Sequence, residues 1–142
     1  ILNGDTLFEL DLGALMTFHR ERHAAATLVL RKDPEAARWG LVEVTDGAEV
    51  VRITGRGLSE PTATSARMFA GIHILHPRLL RYLPSGKECS IIDAYVQGLQ
   101  EGERIVGYDF DGFWSDVGTP ERYAQVERDA AAGLLNLSAR KS

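Results

Sequence analysis

Apolar residues recur along this chain with two different periods, and the period changes from segment to segment. Between Asp11 and His23 the apolar side of the pattern falls at Leu12, Leu15, Met16 and His19. That spacing predicts an amphipathic helix capped by Asp11 and ending in the basic cluster His19, Arg20 and Arg22. The run Ala25–Leu30 is apolar without interruption and rich in β-formers, as a strand buried on both faces requires. Trp39–Val44 and Glu49–Ile53 read as two further strands joined through the turn dipeptide Asp46-Gly47, and so as a hairpin.

Thr54–Arg67 reads as a long loop of Gly, Ser, Thr and Pro, and Met68–Leu75 as an apolar strand. Pro77 opens a short helix through Tyr82. Ser90 with Asp93 makes a start resembling a capping box for a helix whose apolar side carries Ile91, Ile92, Tyr95, Val96 and Leu99. Ile105–Phe110 reads as a strand, Gly112–Gly118 as a glycine-flanked loop, and Thr119-Pro120 as the cap and first residue of a final helix reaching about Leu135. Alternating strands and helices predict an α/β unit over residues 1–135 with a mostly parallel sheet and one antiparallel hairpin insertion, and a frayed tail at 136–142.

Composition narrows the class. The chain has 142 residues, 44% hydrophobic and 25% charged, which is an ordinary globular balance. A formal charge of -4 disfavours nucleic acid and anionic membrane surfaces as partners. The single cysteine, Cys89, rules out an intrachain disulfide framework and points to a reducing, cytoplasmic setting. No apolar run reaches the length of a membrane span, and the first residues lack the pattern of a secretory signal.

Two carboxylates follow strand-like segments directly: Asp5 in NGD and Asp116 in WSDVGT. Ligands of open α/β sheets collect at strand carboxyl ends, and hard oxygen donors there suit Mg²⁺ completed by substrate phosphates. The same residues are also ordinary turn and helix-start chemistry, so spacing leaves both readings open. His19, His23, His73 and His76 lack the spacing of a metal motif, and His73 on an apolar strand fits a core histidine.

The ordered set NGD, WGLVEV, FAGIHIL and FWSDVGTPERY, spanning Asn3 to Tyr123, resembles the sugar-phosphate nucleotidyltransferases, most closely the mannose-1-phosphate guanylyltransferases and N-acetylmuramate-1-phosphate uridylyltransferases. The resemblance implies a reaction between a nucleoside triphosphate, GTP or UTP, and a sugar 1-phosphate that releases pyrophosphate. It implies part of a Rossmann-like three-layer αβα nucleotidyltransferase domain in which Asp5 and Asp116 hold the catalytic Mg²⁺ and Gly40, Ala70 and Gly71 face the sugar. Gly40 equally fits a bulge in a hairpin strand, and Trp114 either walls the site or lies in the core. Arg56 falls where the family lysine meets the sugar phosphate, but Gly55-Arg56-Gly57 replaces the usual Glu-Lys-Pro.

The glycine-rich phosphate loop with which such enzymes begin is absent from this sequence. The chain is therefore expected to be the C-terminal portion of the enzyme, needing its nucleotide-binding half or self-association to cover apolar surface. The alternative is a non-catalytic sugar-phosphate-binding module.

Overall fold

The computed structural model describes residues 1–34, 36–59, 65–133 and 135. Strands β2 (Ala26–Arg31), β3 (Leu41–Val44), β4 (Val50–Ile53), β5 (Arg56–Gly57), β6 (Ser65–Leu75) and β7 (Ile105–Asp109) form one sheet in the order β5-β4-β3-β6-β2-β7. A second, two-stranded sheet pairs β1 (Thr6–Phe8) with β8 (Trp114–Asp116). The helices are α1 (Leu12–Glu21), α2 (Ala36–Trp39), α3 (Ile91–Gln100) and α4 (Pro120–Ala131), with a 3-10 helix at Pro77–Tyr82.

The expectation of a mostly parallel sheet is corrected. Among the described residues only β2 and β7 run parallel; the β2–β6, β3–β6, β3–β4 and β4–β5 pairs are antiparallel. The reason is the eleven-residue β6, which runs against both β2 and β3 and so reverses the sheet at its centre. A parallel pair needs a long crossover, and only the stretch from β2 to β7, which contains α3, supplies one here.

Alternation along β2 divides the core. Leu28 and Leu30 pack with Tyr95, Val96 and Leu99 of α3 and with Val42 and Ile53 of the hairpin. Val29 faces the other way, toward Leu15 of α1, Ala70 and Ile72, with Phe8 and Trp114 against them. Both α1 and the small sheet therefore lie on one face, and α3 on the other.

Several element bounds shift. Backbone at Trp39 belongs to the one-turn α2, and the strand begins at Leu41 because Gly40 turns through φ +116°. The expected loop over 54–67 contains β5 and the start of β6, while residues 60–64 lie outside those described. The expected loop over 112–118 contains β8. The last helix stops at Ala131, where Gly133 takes the left-handed conformation, φ +69°, that ends helices; the tail at 136–142 lies outside the described residues. Among the described residues no helix is long and apolar enough to cross a membrane.

The opening segment lies against β6. Leu2 bridges Ile72, the Asn3 amide donates to the Gly71 carbonyl at 3.0 Å, and the His73 amide donates to the Ile1 carbonyl at 3.0 Å. Ile1 and Leu2 keep 63% and 49% exposure, and Leu12 and Met16 of α1 are also exposed.

Candidate active site

Asp5 and Asp116 are brought together by the small sheet. Thr6 pairs with Asp116 in its register, and the Val117 amide donates to the Asp5 carbonyl at 2.7 Å. The backbone thereby fixes the base of each side chain before the side chains themselves interact. Both carboxylates then converge on Gly118. A Cβ built there would lie 2.9 Å from Asp5 Oδ2 and 3.2 Å from Asp116 Oδ1, so the absent side chain leaves the space the two oxygens share.

Asp116 is the more tightly held of the two. Its Oδ1 accepts from the Gly118 amide at 2.9 Å and from Arg122 Nη1 at 2.7 Å. Partial burial pushes its pKa up, but the Gly118 amide and the Arg122 guanidinium outweigh that, and the carboxyl is held below its ordinary value. Arg122 reaches it from the first turn of α4, whose start is set by Thr119 accepting from the Arg122 amide and by Pro120. The sequence reading assigned Arg122 no role, although it lies inside the GTPER stretch, one turn past the helix cap. That placement is the signal that an arginine there can reach back to Asp116.

The sugar-facing candidates are partly joined to this pair. Gly71 lies in an irregularity of β6, where the pairing with β2 shifts between Leu28 and Leu30, and it takes φ +73°. A Cβ at Gly71 would stand 2.5 Å from Asn3 Nδ2, so the bulge opens the room that the NGD turn occupies. Ala70 is buried, and its carbonyl accepts from Trp114 Nε1 at 2.9 Å, tying β6 to β8 two residues before Asp116. Trp114 thus joins the core and also borders a cleft of about 210 Å³ with Ser115, Asp116, Arg122 and Gln125.

Gly40 and Arg56 are placed differently. A Cβ at Gly40 would meet only Phe69 Cβ at 4.0 Å, so the glycine serves its φ of +116° rather than a close approach within the chain. Arg56 lies on the edge strand β5 and pairs with Asp93 of α3 at 2.8 Å, on the face of the sheet away from Asp5 and Asp116. The structure does not bring Arg56 to the carboxylates.

Arg31 is a second residue that the sequence left unassigned. Its Nη1 donates to the Gly112 carbonyl at 2.6 Å, and its guanidinium lies 5.4 Å from the Phe110 ring centroid and 6.0 Å from that of Trp114. It anchors the loop that leads into β8.

The donor set is two hard carboxylates around a cradle that a Cβ would fill, with no cluster of three or more His, Cys, Asp or Glu suited to a metal among the described residues. That fits Mg²⁺, whose sites use one or two carboxylates and leave other positions to water and phosphate. It does not fit Zn²⁺, which takes three or four protein ligands.

The chain is similar to known proteins over most of its length. The chain is 29% identical over 136 residues to the mannose-1-phosphate guanylyltransferase of Mycobacterium tuberculosis, covering 94% of this chain and 37% of that protein. It is 30% identical over 141 residues to a glucose-1-phosphate adenylyltransferase of Ruminiclostridium cellulolyticum, covering 91% and 32%. A UTP–glucose-1-phosphate uridylyltransferase of Synechocystis is 29% identical over 131 residues, covering 90% and 34%. The chain thus spans about a third of the length of these relatives.

In fold, it superposes with a TM-score of 0.71 and 19% identity on a Bacillus anthracis protein assigned as a glucose-1-phosphate thymidylyltransferase and solved with sucrose. The match covers 97% of this chain and 55% of that one. The sequence profile of the nucleotidyl transferase family matches residues 1–133, and the chain belongs to that family.

Proposed function

We propose that this chain is the metal- and sugar-phosphate-binding portion of a sugar-1-phosphate nucleotidyltransferase, with Asp5 and Asp116 holding Mg²⁺. The observation that carries the reading is the convergence of the two carboxylates on Gly118, from opposite ends of the chain. Two carboxylates held this close repel one another, and the Arg122 contact at 2.7 Å offsets charge at Asp116. A divalent cation with phosphate oxygens completes such a site.

The reaction joins an oxygen of the sugar 1-phosphate to the α-phosphorus of a nucleoside triphosphate. The bond from that phosphorus to the β-phosphate oxygen breaks, and pyrophosphate leaves with the electron pair. When bound, Mg²⁺ supplies charge neutralisation for the two polyanions and holds them for in-line displacement. The chain's own residues do the positioning. Gly118 N–H and Arg122 fix Asp116, the β1–β8 pairing fixes the distance to Asp5, and the Trp114–Ala70 bond keeps β8 against the bulge at Gly71. That bulge is the candidate approach for the sugar.

For substrate we favour the guanylyltransferase pairing, GTP with mannose 1-phosphate, on the motif set quoted above and the similarity to the Mycobacterium tuberculosis protein. UTP is the competing nucleotide. The nucleotide-binding half would come from a separate or contiguous segment. The free, exposed Cys89 supports a reducing, cytoplasmic setting.

The test is pyrophosphate release from GTP and mannose 1-phosphate by the chain joined to a nucleotide-binding half. Activity should depend on Mg²⁺ and fall by at least a hundredfold in Asp5→Asn and in Asp116→Asn. Full activity in both variants would remove the mechanism.

A further inference from the structure

A second cleft, at the C-terminal end of α1, carries a different chemistry. It encloses about 460 Å³ and is lined by His19, Arg20, His23, Ala24, His76 and Arg78. Five of the six bear an imidazole or guanidinium, and no carboxylate lines it, on a chain whose net charge is -4.

Local hydrogen bonds set what these side chains present. His76 Nδ1 accepts from the Arg78 amide at 3.2 Å, so in the neutral ring the proton sits on Nε2, which is then a donor. His19 Nδ1 is engaged with Thr27 Oγ1 at 2.9 Å. Arg78 is held by Glu103 through Nε at 2.9 Å, a contact that steadies the guanidinium and offsets part of its charge. Arg20 is exposed.

Basic residues at a helix C-terminus commonly complement its dipole, and that accounts for His19 and Arg20. It does not account for His76 and Arg78, which come from the start of the 3-10 helix and face the same space. Moreover, the last carbonyls of α1 are already satisfied. Phe18, His19 and Arg20 accept from the amides of Arg22, Ala24 and His23.

A cation is the wrong occupant, because two guanidiniums would repel it and the described residues contain no metal-binding cluster. Burial, and after it the electrostatic influence of His76, Arg78 and Arg20, lower the basicity of His19.

We propose that this cleft is a binding site for a phosphate-type anion, with Arg20, His76 and Arg78 as its donors. It is separate from the carboxylate pair in residues and in charge, and it stands whether or not the chain takes part in nucleotidyl transfer.

The test is a titration of the chain, in magnesium-free buffer, with inorganic phosphate and with glycerol 3-phosphate, followed by the ring resonances of the histidines. One saturable site should appear, perturbing His19 and His76. Preference for glycerol 3-phosphate would identify a phosphorylated small molecule as the ligand type, and equal or better binding of inorganic phosphate the free ion.

Affinity should fall at least tenfold in Arg20→Gln and in His76→Asn, the latter chosen because an asparagine can still cap the 3-10 helix. Arg20→Lys should bind within a few-fold of the parent, and Asp5→Asn unchanged. Circular dichroism establishes that each variant is folded. Non-saturable shifts, or binding that survives both Arg20→Gln and His76→Asn in folded protein, would overturn the proposal.

Discussion

At the residue scale, Gly118 and Asp116 decide whether the two carboxylates can share a cation. Gly118 does not occupy the left-handed region, so alanine is conformationally tolerated there, and its effect is steric. The added carbon would press on Asp5 Oδ2 at 2.9 Å and Asp116 Oδ1 at 3.2 Å. Gly118→Ala is therefore expected to keep the fold, with its thermal midpoint little changed, and to weaken Mn²⁺ binding at least tenfold.

His73 makes a different residue-scale prediction, about stability. It is buried, bonded through Nδ1 to the Tyr95 hydroxyl, and lowered by that burial to a pKa of about 4. Between its ordinary value of 6.5 and about 4 the unfolded chain takes up a proton that the folded chain refuses. Stability is thus complete above pH 6.5 and declines as pH falls toward 4, by roughly 3 kcal/mol from this group. His19, also held below its ordinary value, adds to the slope in the same sense. Urea unfolding across that range should show the decline, and His73→Gln should flatten it.

At the element scale, α1 ends in a motif that asks for a left-handed residue, and His23 occupies it at φ +49°. The Ala24 amide reaches the His19 carbonyl and the His23 amide the Arg20 carbonyl, the paired bonds of a Schellman end. A histidine there is strained where glycine is not. His23→Gly should stabilise the chain by about 1 kcal/mol, read as a higher denaturant midpoint.

The elements α1, α3, β2 and the hairpin were legible in the sequence because each carries an apolar run or period to read, and all four form, with shifted ends such as the hairpin strand that starts at Leu41 rather than Trp39. What the sequence hid is pairing. Three-residue strands such as β1 and β8 have no period to read, and their partners lie more than a hundred residues apart in sequence. The direction of β6 was equally hidden, because a buried strand has the same apolar run whichever way its neighbours run. That is why the sheet was expected to be mostly parallel.

At the scale of the whole molecule, the candidate site is a product of that hidden pairing. Asp5 and Asp116 stood out in the sequence as carboxylates after strand-like segments and through the motif set; in the fold Asp5 precedes β1 and Asp116 ends β8, and their convergence on Gly118 needs the β1–β8 register. The link between Asn3 and Gly71 needs a bulge that no local pattern announces. Arg122 and Arg31 escaped because an arginine in a polar stretch carries no signal of its target until the backbone brings that target near. Arg56, whose motif position points to a phosphate, pairs with Asp93 at the sheet edge.

The chain spans about a third of the length of its relatives, and both carboxylates of the proposed cation site lie within it. The central claim is that the two carboxylates form one divalent-cation site, and Mn²⁺ titration of the chain followed by electron paramagnetic resonance tests it directly. One bound Mn²⁺ per chain, displaced by Mg²⁺ and weakened at least tenfold by either Asp5→Asn or Asp116→Asn, is the predicted result. Absence of a saturable site, or equal binding by the parent and both variants, would contradict it.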